Sequence, residues 1–161
     1  MDPLYDPQTG LPGPALFFDR VQQAMHLAQR EGMSLAVVVV SIRFSGPDLE
    51  RPDPERQAII TALAHETTDQ VRMSDTVGMI APDELAILLP NVAPSALPTI
   101  LQRILDQQPV LVHSQLGDHQ LDLRMGMALR PDGCTDVQEL MDHAWEGLHR
   151  AIGQDGPARA A

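Results

Sequence analysis

The chain predicts an α/β sandwich in which helices flank a central, mostly antiparallel sheet. Three features carry this. "SLAVVVVSI", residues 34–42, is apolar and β-branched with no polar alternation, which is the pattern of a central strand covered on both faces. Residues 76–80 and 85–89 are short apolar runs on either side of "APDE", the form of a hairpin. Segments with 3.6-residue periodicity alternate with these strands, giving the order helix, strand, helix, hairpin, helix, strands, helix.

"DPQTGLPGP" is a loop of turn formers, and Pro14 suits the first turn of a helix. Phe17, Val21, Ala24, Met25 and Ala28 then share one face, and Gly32 closes the helix. After the first strand, "RFSGPDLERPDPE" breaks the pattern with three prolines. A second helix is expected from Pro54 to Val71 with Ile60, Leu63, Ala64, Thr67 and Val71 inward. A third is expected from Ser95 to Asp106, with Leu97, Ile100, Leu101, Ile104 and Leu105 inward. "PVLVHS" and "HQLDLRMGMAL" read as strands joined by a turn at Gly117-Asp118. The last helix falls in "TDVQELMDHAWEGLHRAI", with Thr135 as its expected N-cap.

The bulk composition excludes several functions. The chain has 161 residues, enough for one domain, and is 43% hydrophobic but only 3% aromatic, so aliphatic side chains and Met must build the core. Eleven Lys and Arg against 22 acids give a formal charge of −11, which opposes binding to nucleic-acid polymers. Cys134 is the one cysteine, so no internal disulfide or cysteine metal cluster forms. The opening residues lack a signal-peptide pattern, and the run Leu35–Val40 is too short to span a bilayer. A cytoplasmic location is expected, with residues 1–155 as the domain and 156–161 as a flexible tail. The six histidines (26, 65, 113, 119, 143, 149) follow no metal-site spacing and read as surface or partly buried. Trp145 reads as half-buried, a possible contact surface.

Several segments resemble the bacterial GGDEF domains, the diguanylate cyclases. "DPQTGLPGPALFFDRVQQAM" is similar to the family's "DxLTGLxNR" opening, and "LAVVVVSIRF" to "LALLLLDLDxFK". "DTVGMIAPDELAILLP" matches "DTVARLGGDEFAVLLP", and "LRMGMALRPDGCTDVQELMDHAWEGLHRA" parallels the family's C-terminal segment. The resemblance covers nearly the whole chain in order. It implies a nucleotide-cyclase-like fold and an activity that joins two GTP molecules with magnesium.

The same alignment removes the catalytic groups. Ser41 and Arg43 stand where the family has its two strand aspartates, and a hydroxyl beside a guanidinium is a poor hard-cation site. The signature becomes Ala81-Pro82-Asp83-Glu84-Leu85. Pro82 has no N–H and a fixed φ where the family has glycine. "FKxxND" is replaced by "FSGPDLE", Met79 takes the place of an Arg, and Ile152 and Gly156 stand near a phosphate-binding Lys and Arg. Asp83 and Glu84 are expected to cap the turn or pair with Arg43. No cofactor, and no magnesium, is expected.

One constellation survives. The family's inhibitory "RxxD" site, which binds the product cyclic di-GMP, corresponds to Arg72-Met73-Ser74-Asp75, with Arg103 at its second Arg. Arg offers a planar fork for phosphates and the guanine edge, and Asp accepts from guanine N–H groups. Alone, "RxxD" equally describes a solvated ion pair. The resemblance therefore implies a catalytically inactive receptor or regulatory module for cyclic di-GMP, with a homodimer or protein partner possible. The alternative is a ligand-free interaction or dimerisation module, and an active cyclase ranks last.

Overall fold

The structure, a computed structural model, describes residues 4–105 and 110–153, and for 104–105 and 110–113 it describes the backbone alone. Eleven segments follow in order: α1 (Pro14–Glu31), β1 (Leu35–Phe44), a 3₁₀ turn (Gly46–Glu50), α2 (Asp53–Gln70), β2 (Thr76–Ala81), β3 (Glu84–Pro90), a second 3₁₀ turn (Pro94–Ala96), α3 (Leu97–Leu105), β4 (Val110–Ser114), β5 (Gly117–Leu129) and α4 (Val137–Ile152). The five strands form one sheet in the order β2-β3-β1-β5-β4, and every neighbouring pair is antiparallel.

β1 is central, with β3 and β5 paired to its two edges and helices covering both of its faces. Alternate residues supply two cores, as the period of two requires. Ala36, Val38, Val40 and Ile42 pack under α2 with Ile59, Ile60 and Leu63. Val37 and Val39 pack on the other side against Phe17, Val21 and Met25 of α1 and Leu140, Ala144 and Leu148 of α4. Two glycines permit this second layer. A Cβ on Gly126 would lie 2.1 Å from the Ala144 carbonyl oxygen, so α4 rests directly on the β5 backbone. A Cβ on Gly78 would meet the Phe17 ring at 2.8 Å.

Most boundaries follow local chemistry. Pro14 opens α1, and Gly32 ends it in the left-handed region at φ 67°. Elsewhere the structure departs from the sequence reading. The β4–β5 turn lies at Gln115–Leu116, and Gly117-Asp118 already belong to β5. The N-cap of α4 is Asp136, whose carboxylate accepts from the Gln138 N–H at 3.0 Å, one residue beyond Thr135. "GPDLE" winds into a 3₁₀ turn where proline was expected to leave a loop. His119 is fully buried, 2% exposed, because it continues the inward row Leu121, Leu123, Met125 of β5. The inward positions expected at Ile104 and Leu105, together with Asp106 and the tail at 156–161, lie outside the described side chains and residues.

Candidate functional site

β2 carries a polar constellation at each end. At one end it turns through Pro82-Asp83 into β3, with Ala81 opposite Glu84. The Ile42 N–H donates to the Asp83 carbonyl at 2.9 Å and ties the turn to β1. The register places Ser41 opposite Glu84 on one side and opposite Arg124 of β5 on the other. Residues directly opposite in antiparallel strands share a face, with Cβ atoms about 5 Å apart. Glu84, Ser41 and Arg124 therefore form a row across three strands, and Arg43 and Asp122 form the next row out.

These rows set two carboxylates against two guanidiniums, and Glu84 and Arg124 are already partnered. Glu84 accepts from the Trp145 indole N–H at 2.6 Å. Burial raises the Glu84 proton affinity, the Trp145 bond opposes the rise, and the neighbouring Asp83 charge adds to it. Arg124 donates to Asp122 Oδ1 at 2.6 Å, and its Nε is buried with no hydrogen-bond partner. Magnesium needs several hard oxygen ligands in near-octahedral order. Two carboxylates, one held by an indole and one by Arg124, with one hydroxyl and two guanidiniums do not fit that requirement. Among the described residues no group of three or more His, Cys, Asp or Glu side chains could hold a metal ion.

Beside the turn lies a groove of about 510 Å³, bordered by Arg43, Phe44, Leu49, Arg56, Pro82 and Asp83. Arg56 lies over the Phe44 ring at 5.6 Å and pairs with Asp53 at 2.7 Å. Arg43 and Asp83 both border this groove, but no ion pair joins them, so the expected pairing with Arg43 does not form. Glu84 turns to Trp145 instead.

At the other end of β2, Arg72 and Asp75 form a clasp. Asp75 accepts from the Arg72 backbone N–H at 2.8 Å and from Nη2 at 2.9 Å. The same Nη2 donates to the Pro90 carbonyl at 2.8 Å, so the clasp closes the open end of the β2–β3 hairpin. The Arg72 side chain is 49% exposed while that of Asp75 is 3% exposed. This is not a solvated surface pair: the carboxylate is spent on holding the guanidinium. Arg103 donates to the Gln70 carbonyl at 3.5 Å, two residues before Arg72. It also borders an open depression with Pro98, Thr99 and Gln102. The structure thus joins Arg72 to Asp75 and brings Arg103 to the end of α2, but it turns Asp75 away from solvent.

Sequence reasoning missed Arg124 and Trp145 as members of the signature site. Period-two alternation along β5 hints at Arg124, but its place beside Ser41 needs the strand register. Trp145 is 61 residues from Glu84, and no spacing rule connects them.

Comparison with known proteins agrees with the fold. The chain matches the YfiN (TpbB) GGDEF domain from Pseudomonas aeruginosa at 25% identity and a TM-score of 0.84, covering 95% of this chain and 98% of that one. It matches the GGDEF domain of DgcB from Caulobacter crescentus, determined in complex with c-di-GMP, at 20% identity and a TM-score of 0.86, covering 99% and 94%. It matches the diguanylate cyclase SiaD from Pseudomonas aeruginosa, in complex with its activator SiaC, at 18% identity and a TM-score of 0.86. That alignment covers 99% of this chain and 62% of the SiaD chain. No curated protein matches. Among the described residues no helix is long and apolar enough to cross a membrane. The family model described as "Diguanylate cyclase, GGDEF domain" matches residues 3–156, and the chain belongs to the GGDEF domain family.

Proposed function

We propose that this GGDEF domain does not synthesise cyclic di-GMP and instead reads it, as a cytoplasmic receptor or regulatory module. Support for loss of synthesis comes from the row Glu84–Ser41–Arg124, in which a hydroxyl and a guanidinium stand beside Glu84 and add no carboxylate ligand for magnesium. Phosphoryl and nucleotidyl transfer depend on that charge neutralisation, and an arginine fixed to the protein cannot replace a mobile hydrated ion in every one of its contacts.

The reading of cyclic di-GMP rests on one observation. Arg72 is half exposed and held in a fixed orientation by Asp75 and the Pro90 carbonyl, and Arg103 of α3 bonds the Gln70 carbonyl two residues before it. A guanidinium held this way loses less entropy when it grips a phosphate or the guanine edge. Arg72 and Arg103 make the contacts, and Asp75 acts by positioning Arg72. The DgcB domain, whose structure was determined with c-di-GMP, is a relative of the same fold and supports the ligand class.

Isothermal titration with cyclic di-GMP tests the receptor reading: saturable heat is expected, and none is expected for Arg72→Ala. A radiolabelled GTP assay with magnesium or manganese tests the loss of synthesis, and product formation would overturn it. A second reading has its own support. The Arg72 guanidinium already makes three bonds within the domain, which favours a ligand-free module that binds a protein partner or a second copy. No heat with intact protein at tens of micromolar ligand selects that reading.

A further inference from the structure

Away from both ends of β2, a buried histidine links a serine to a carboxylate. The Ser114 hydroxyl lies 2.8 Å from His119 Nε2, and His119 Nδ1 lies 3.1 Å from Asp48 Oδ1. The hairpin register accounts for the first contact. Ser114 pairs with Gly117 and Val112 with His119, so Ser114 and His119 are diagonal neighbours on the α2-facing side. The 3₁₀ turn carries Asp48 onto that side, where Arg51 also bonds it. Burial works against the Asp48 charge, but the bonds from Arg51 and His119 outweigh it and hold the carboxylate below its ordinary range.

An ionised carboxylate can only accept, so in the neutral ring Nδ1 carries the proton and Nε2 is left as acceptor for the Ser114 O–H. The Leu116 N–H donates to the Ser114 oxygen at 3.1 Å, leaving one lone pair on it. Ser114 is partly exposed and borders a groove of about 590 Å³. The groove walls include Pro54, Ala58, Ala62 and Leu116, and Glu55 places an acid there.

We propose that Ser114 is an activated nucleophile with esterase-type chemistry toward small neutral acyl esters, His119 serving as its base and Asp48 as the positioning residue. The arrangement meets the general requirement for such a site, a nucleophile on a base that a third group orients. The apolar walls take an acyl chain. In the reaction the Ser114 proton passes to Nε2 as Oγ bonds to the ester carbonyl carbon. The carbon–alkoxide bond breaks, and the alcohol leaves with the proton from His119. Water then gives a proton to His119, attacks the acyl carbon and releases the acid, and the proton returns to Ser114. None of these residues belongs to the cyclic di-GMP reading, so the two proposals stand or fall separately.

A fluorophosphonate probe followed by peptide mass spectrometry on the whole chain is the test. Phosphonylation at Ser114, with loss of fluoride, is expected, together with hydrolysis of p-nitrophenyl butyrate. Ser114→Ala should lose both. Asp48→Asn, compared at equal circular dichroism, should slow labelling about 100-fold, because it misorients the His119 base, whose contribution is of about that size. If Asp48→Asn does not fold, His119→Gln and Thr61→Val, the latter at another position lining the groove, separate base from groove: only the first should slow labelling. An unlabelled Ser114 in the folded wild-type chain, or labelling unchanged in Asp48→Asn or His119→Gln, overturns the proposal.

Discussion

The two ends of β2, a strand of six residues and so about 20 Å long, have opposite electrostatic designs. At the turn, the charged groups are partnered within the fold: Glu84 by Trp145, Arg124 by Asp122. At the clasp, an aspartate is buried so that an arginine can stay exposed in a fixed pose. Both ends spend their carboxylate internally. The difference is what remains outside. The turn leaves a groove in which cations border a small surface, and the clasp leaves an oriented guanidinium with a second one near it.

The largest expected effect that sharpens this contrast is on ligand affinity. Arg72→Ala should weaken cyclic di-GMP binding about 100-fold, equivalent to about 2.7 kcal/mol. Ser41→Asp should leave the affinity unchanged, because it lies at the far end of the strand. Equal loss from both variants would break the assignment of the ligand to the clasp.

Next in size is the clasp itself. Asp75→Ala removes three bonds from Arg72 and should cost about 1–2 kcal/mol, read as a fall of roughly 5 °C in Tm. Thermal unfolding by circular dichroism checks it. An unchanged Tm would mean the clasp does not hold the hairpin end.

A smaller effect is expected at the turn. Ser41→Asp puts a carboxylate between Glu84 and Arg124. It should pair with Arg124, show no saturable heat with millimolar magnesium, and shift Tm by less than about 3 °C. Adding Arg43→Asp and Arg124→Ser removes both cations, and magnesium binding should then appear in the same titration. Magnesium heat in Ser41→Asp alone would show that a carboxylate at position 41 is enough to hold the ion.

The smallest effect concerns the proton affinity of Glu84. Its folded value lies above its unfolded value, so the folded state holds the proton more tightly. That contribution favours folding below the ordinary carboxylate range and is lost as pH rises from there through the raised value. Glu84→Gln keeps an acceptor for the Trp145 indole and removes the charge. Its stability relative to wild type should rise through that window, by less than about 1 kcal/mol at neutral pH. A flat difference between pH 4 and 8, measured by urea unfolding and Trp145 fluorescence, would contradict the burial of this carboxylate.

The sequence by itself determined the layer architecture, the hairpin and the central strand. Those features are local: periodicity over a few turns, proline and glycine at breaks, and motif spacing along one segment. It also put Arg72 and Asp75 together, because a three-residue spacing brings their side chains within reach. Only the tertiary structure decided that Asp75 faces inward, that Arg124 stands beside Ser41, that Trp145 holds Glu84, and that Ser114, His119 and Asp48 meet. Each of these depends on strand register or on helix docking. A one-residue slip in register would turn Arg124 to the other face, and Asp48 and His119 lie 71 residues apart. Such contacts are set by the free energy of packing the whole core, which no short window of sequence contains.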